Sequence, residues 1–155
     1  MQGKQVFLMY GESISRDEIR LIEDQEIIEG AVVSLFHNYI KAFAMIGKNL
    51  IIDHVIIESK WLSECIALLH DTNTYFIGVR CPLDELERRE RERGDRPLGL
   101  ARAQFETVHN HSEYDLEVDT KENSSTACAA IIKDFIEANK PRAFKEHIIE
   151  STGGA

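Results

Sequence analysis

The stretch RCPLDELERRERERGDRPLGLARAQFETVHNHSEYDLEVDT, Arg80 to Thr120, decides how this chain is read. It spells an arginine-dense helix, a Gly-Asp-Arg-Pro break, a second helix and a short strand. Pro82 suits the first turn of a helix, where its missing N–H would have had no partner anyway. Asp84 and Glu85 then fall at the positive end of the helix dipole, with Arg91 and Arg93 at the negative end, and Glu85–Arg89 and Glu87–Arg91 have i,i+4 spacing. Gly94 is placed to stop this helix, Pro97 and Gly99 hold the next residues out of helix, and Leu100 to His109 resumes a helical pattern through Phe105 and Val108. Tyr114 to Val118 alternates like a strand. Arginines at a helix end and on the turn beyond it suit oxyanions, because the guanidinium fork offers fixed paired donors to phosphate or carboxylate. The competing reading of the same residues is a solvated helix laced with Glu–Arg pairs.

Upstream, Thr74 to Arg80 (TYFIGVR) reads as a buried strand. Ser59 to about Leu69 reads as an amphipathic helix with Trp61, Leu62, Cys65, Ile66 and Leu69 on its inner face. Before it, LIIDHVII (Leu50 to Ile57) is a branched apolar run broken only by Asp53 and His54, the pattern of a strand covered on both faces. A buried carboxylate costs several kcal/mol unless partnered, which puts Asp53 at a cleft at the strand's end. Val32, Phe36, Tyr39, Ile40 and Phe43 mark a helix over Ala31 to Ile46. Gln5 to Tyr10 reads as a short strand, and Ser15 with Glu18 opens a helix running toward Glu29, stopped by Gly30. Downstream, Ser124 or Ser125 opens a last helix to about Ala138, with Ala127, Ala130, Ile131, Phe135 and Ile136 inside, and Arg142 to Ala155 reads as a peripheral tail. Strands alternating with helices predict a three-layer α/β fold, a parallel sheet with helices on both faces, as a single domain over 1–140.

A length of 155 residues suits one domain, and a formal charge of -9 argues against a nucleic-acid or membrane-surface binder, so any phosphate site is a local basic island. The cysteines Cys65, Cys81 and Cys128 are odd in number and set among apolar residues, which suits reduced thiols and a cytoplasmic protein. His54, His109 and His111 read as surface or capping groups, and no histidine is assigned as a metal ligand. Cys81 reads as an inert thiol and Trp61 as core or interface.

The strings LIIDHVI, GVRCPLDELERRERERGDRPLGLARAQ and YDLEVDT, in this order and spacing, resemble the chloramphenicol phosphotransferase-like family of P-loop kinases over roughly Gly30 to Glu137. The resemblance implies an ATP- and Mg-dependent O-phosphotransferase acting on a small-molecule hydroxyl of an antibiotic or metabolite. It implies Asp53 as the strand-end acid near Mg, Arg93 and Arg96 as lid arginines facing the transferred phosphoryl group, and Arg89, Asp119 and Thr120 as nucleotide contacts. Phosphoryl transfer depends on positioning and charge stabilisation, which a cationic lid and a metal-holding carboxylate supply.

The family also implies a first strand followed by GxxxxGK[ST], whose backbone N–H groups cradle phosphates. No such motif occurs in this sequence; Gly11 is followed by Glu-Ser-Ile-Ser. The family's aspartate base has no counterpart either, since Asp17 and Asp24 are the only aspartates before Asp53 and neither follows a strand. Two explanations stay open: a chain shortened by about the first β-α-β unit, or one in which 1–29 is a rebuilt strand and helix. In the first case LIIDHVII and TYFIGVR lose their shared neighbour and expose apolar edges that favour homo-oligomers; in the second Val6 to Tyr10 fills the gap. The functional alternatives are a small-molecule kinase and a catalytically silent relative serving as a binding or assembly module.

Overall fold

The computed structural model describes residues 25–94, 97–110 and 113–146. In order these form α1 (Gln25–Met45), α2 (Ser59–Leu69), β1 (Ile77–Arg80), α3 (Leu83–Arg93), α4 (Leu100–Phe105), β2 (Leu116–Asp119) and α5 (Ser125–Ala138). The strand expected at 5–10 and the start of the helix expected from Ser15 lie outside the described residues, as do Arg96 and His111.

β1 and β2 pair in parallel, with Ile77 opposite Leu116 and Arg80 opposite Asp119. α3 and α4 lie between them in the chain, as a parallel connection requires. Tight packing accompanies the pairing: a side chain at Gly78 would meet the Tyr114 ring at 2.7 Å, so only glycine fits there. The pairing is extended by Asp115, whose N–H donates to the Phe76 carbonyl at 2.8 Å while its Oδ2 accepts from Phe76 N at 2.8 Å. Asp115 Oδ1 accepts two more amides, Arg142 N at 2.7 Å and Ala143 N at 3.0 Å. One buried carboxylate thus fastens the sheet to the chain beyond α5.

The main apolar cluster lies elsewhere, between α1 and α2. It contains Ile40, Ile56, Leu62, Cys65, Ile66, Leu69 and Phe144, flanked by Phe36, Leu50, Trp61, Leu68 and Phe76. The inner face expected for α2 is the one observed, except that Trp61 is only half-buried.

Four expectations are corrected. Gly30 does not stop a helix: α1 runs through it, with no positive φ, because a glycine inside a helix costs only about 1 kcal/mol and the apolar face of 32–43 outweighs that. Leu50 to Ile57 is not a strand, for it makes no backbone ladder hydrogen bonds among the described residues, and Ile51 is 90% exposed while Ile56 alone is buried. In α5 only Cys128 is buried; Ala130, Ile131 and Ile136 face outward because β2 covers a narrow strip of the helix. The start of the tail is not peripheral, since Ala143 and Phe144 are buried and the Phe144 ring sits 5.1 Å from Phe76.

Candidate functional site

Side chains suited to anions gather where β1 and β2 end, the end at which parallel sheets hold their ligands. α3 starts directly beyond β1, with Pro82 at its N-cap and Asp84 and Glu85 in its first turn. It closes on Gly94, whose φ of 61° is the left-handed cap expected of it. Arg89 reaches back from α3: Nη2 donates to the Thr120 carbonyl at 2.7 Å, Nη1 to Thr120 Oγ1 at 3.1 Å, and Nε to Glu85 at 2.7 Å. Thr120 is itself fixed, its N–H donating to the Arg80 carbonyl at 2.9 Å. Asp119, one residue earlier, accepts Lys121 N at 2.7 Å and so shapes the turn after β2.

Around this point the cations are matched by carboxylates. Arg80 forks onto Glu117 at 2.9 and 3.0 Å and lies over the Tyr114 ring. Arg88 spans Glu85 and Glu92, and Lys121 meets Asp84 at 3.1 Å. Glu85, held by Arg88 first and Arg89 second, has its carboxyl lowered to about 2. The expected Glu87–Arg91 pair gives way to Glu87–Arg102 at 2.7 Å, a contact from α3 to α4. Glu90 adds a second tie, its two oxygens accepting Gly99 N and Ala101 N at 2.8 Å each, which caps the short α4.

The residues read from the sequence therefore divide. Arg89 and Thr120 are in direct contact, with Asp119 adjacent. Arg93 is exposed at the end of α3. Asp53 is exposed on the 50–57 segment beside α1 and α2, and no bond links it to the strand ends. Missed from the sequence were Asp115 and Glu90, which act through backbone amides far away in the chain and leave no local pattern, and His37.

His37, on α1, is fully buried. Its Nδ1 lies 2.8 Å from Glu64 Oε2 and its Nε2 lies 2.9 Å from His54 Nε2. Ser34 donates to the same Glu64 oxygen at 3.0 Å. Burial, and next His37, lowers His54 to about 4. Burial, and next Glu64, pushes the neighbouring Cys65 thiol up to about 12. The reading of His54 as a surface or capping group is corrected: it is half-buried, stacked on Trp61 and paired with a second histidine.

The chain is a mixed α/β protein with a parallel strand pair and an arginine-bearing helix leaving the strand ends, the class of fold whose ligands are commonly held at that edge. The comparisons narrow this class. A family model described as chloramphenicol phosphotransferase-like protein matches residues 6–137, and the chain belongs to that family. Two relatives from Mycobacterium tuberculosis, strains CDC 1551 and H37Rv, carry the names "Putative O-phosphotransferase" MT2714 and Rv2636. Each is 37% identical over 81 residues, which is 52% of this chain and 36% of the relative. The match thus spans little more than a third of the relatives' length. No helix among the described residues is long and apolar enough to cross a membrane.

The family suggests a nucleotide and a metal ion, and the described residues meet that need only in part. Arg80, Arg88, Arg89, Arg102 and Lys121 are each held by a carboxylate that a phosphate would have to displace, and the Thr120 N–H and hydroxyl both donate to the Arg80 carbonyl. Asp53 has no second carboxylate bonded beside it among the described residues. These residues do not by themselves make a triphosphate–Mg site.

Proposed function

We propose that this chain carries the lid and last-strand half of an ATP-dependent, small-molecule O-phosphotransferase. The observation that carries the reading is the Arg89 fork on Thr120 at the ends of β1 and β2, in a chain of the chloramphenicol phosphotransferase-like family. Arg89 fastens α3 to the strand ends, and α3 leads directly into the Gly-Asp-Arg-Pro turn. In this reading Arg93 and Arg96 are the lid cations that meet the transferred phosphoryl group, Asp119 and Thr120 flank the adenine, and Asp53 is the Mg-side acid. The acceptor is a hydroxyl of an antibiotic or metabolite. The whole is one P-loop kinase-like domain with a three-layer sheet, of which β1 and β2 are two strands, and it extends past residue 140 to take in Phe144.

Electrostatic stabilisation is what such a reaction asks of a protein, and a guanidinium is the side chain best matched to it. The cradle and the base are the parts this sequence does not show. The expected behaviour of the chain alone is therefore no thermal stabilisation by Mg-ATP. A clear shift that Arg96→Ala abolishes would overturn the incompleteness and favour a whole kinase site. Placing a GxxxxGK[ST]-bearing β-α-β unit from a family member ahead of Gly30 tests the lid itself. That chimera is expected to gain Mg-ATP stabilisation and lose most of it on Arg93→Ala with Arg96→Ala. A folded chimera that binds Mg-ATP equally well with and without the arginines would sink the lid assignment and leave the silent binding module as the better reading.

A further inference from the structure

We propose that His37, His54 and Cys65 form a binding site for a divalent d-block cation of the zinc type, which pins the 50–57 segment to α1 and α2. The proposal is independent of the phosphotransferase reading and concerns a different set of residues.

The three side chains come from α1, from the segment between the helices and from α2, and their donor atoms all lie within 4.8 Å of one another. Two imidazole nitrogens and a thiolate are the donor set that zinc prefers to calcium or magnesium, and they supply three of the four positions of a tetrahedral ion. Glu64 determines how His37 presents itself. With Nδ1 donating to the Glu64 carboxylate, Nε2 carries the lone pair and points at His54 Nε2. A carboxylate behind the imidazole is the usual partner of a metal-bound histidine, because it orients the ring and raises its basicity. Ser34, bonded to the same carboxylate, fixes Glu64 in turn.

The two nitrogens require little movement, and the Cys65 sulfur, within 4.8 Å of them, closes in as the ion binds. Two nitrogens bound to one tetrahedral zinc at about 2.0–2.1 Å stand about 3.3 Å apart. The pair here is at 2.9 Å, so the rings need to part by a few tenths of an ångström. Without an ion, His54 Nε2–H donates to His37; with one, His54 moves that proton to Nδ1 and turns its Nε2 lone pair to the metal. The Cys65 thiol gives up its proton to solvent as the metal–sulfur bond forms. There is also a structural reason for a clip at this point. Leu50 to Ile57 has no ladder hydrogen bonds among the described residues, and His54 is its polar attachment to the helices.

Cobalt(II) titration of the full chain, freed of metal and reduced with a phosphine, tests the proposal. The expected result is one equivalent bound, with the intense visible bands of tetrahedral cobalt and a near-ultraviolet thiolate-to-cobalt charge-transfer band, both displaced by zinc. Cys65→Ser should remove the charge-transfer band, Cys81→Ser should retain it, and His54→Gln, a change at a half-buried position, should weaken binding at least tenfold. Circular dichroism of each variant separates lost ligands from lost fold. Absence of both bands in the wild-type chain, or a charge-transfer band that survives Cys65→Ser in a folded protein, would overturn the site and leave a metal-free histidine pair.

Discussion

The helices α2 and α3 are both eleven residues long, yet α2 buries Leu62, Cys65, Ile66 and Leu69 while α3 buries nothing. α2 has no acid in its first turn, no base in its last and no side-chain cap bond, so tertiary burial holds it. α3 has acids first, bases last and a left-handed glycine cap, so its own sequence specifies it. Eleven residues are marginal for an isolated helix in water, and α3 therefore depends on its outward ties: Arg89 to Thr120, Glu87 to Arg102, Glu90 to Gly99 and Ala101, and Lys121 to Asp84. A helix fastened by polar contacts at the strand ends can shift without breaking the core. This contrast accords with the lid role proposed for the residues at the end of α3, whereas α2 is locked by packing.

This contrast can be broken at its strong side first. Leu62→Ala is expected to destabilise the chain by about 3 kcal/mol, the usual cost of a leucine-sized cavity, read as a lower urea midpoint with Trp61 fluorescence as the probe. A change under about 1 kcal/mol would mean the α1–α2 cluster is not the stabilising core. Asp115→Ala comes next, at about 2–3 kcal/mol, because it leaves the Phe76, Arg142 and Ala143 amides without their acceptor. Hydrogen exchange should show 141–146 opening in that variant before α2 does, and the reverse order would break the assignment of Asp115 as the fastener.

Arg89→Lys sharpens the comparison from the weak side. Lysine keeps the charge but cannot span Glu85 and both Thr120 acceptors, so a loss of about 1 kcal/mol is expected, with faster amide exchange confined to α3 and the turn after β2. Exchange that rises equally in α2 would show the two helices are not independent. The smallest effect belongs to acid. Glu85 has a lowered pKa, so its contribution is complete above the ordinary carboxylate value and is lost as pH falls from there toward about 2. Exchange in α3 should respond over that window and to added salt, while α2 should be indifferent to salt.

The element α3 was legible almost to the residue, because everything that makes it a helix lies within it. The strand at 50–57 was misread for the opposite reason: apolar branched residues state a willingness to pair, but a strand exists only where a partner supplies its hydrogen bonds. Gly30 was over-read as a stop, since glycine ends a helix only where the backbone turns left-handed, as it does at Gly94. Arg89, Asp119 and Thr120 belong to one motif-bearing stretch, and the structure joins Arg89 to Thr120, while their role as nucleotide contacts stays a proposal. Asp53 is read as the Mg-side acid through family resemblance alone, and that role stays a proposal: it lies exposed on the 50–57 segment.

By itself the sequence determined the helices with internal signals, the parallel strand pair around the arginine-dense stretch and the kinship with a phosphotransferase family. These depend on residues close together in the chain. Only the tertiary structure decided what Asp115, Glu90 and His37 do, because each meets partners at least nine residues away. It also showed that the apolar core and the arginine-bearing edge are separate regions, one held by burial and the other by exposed ion pairs that water competes for.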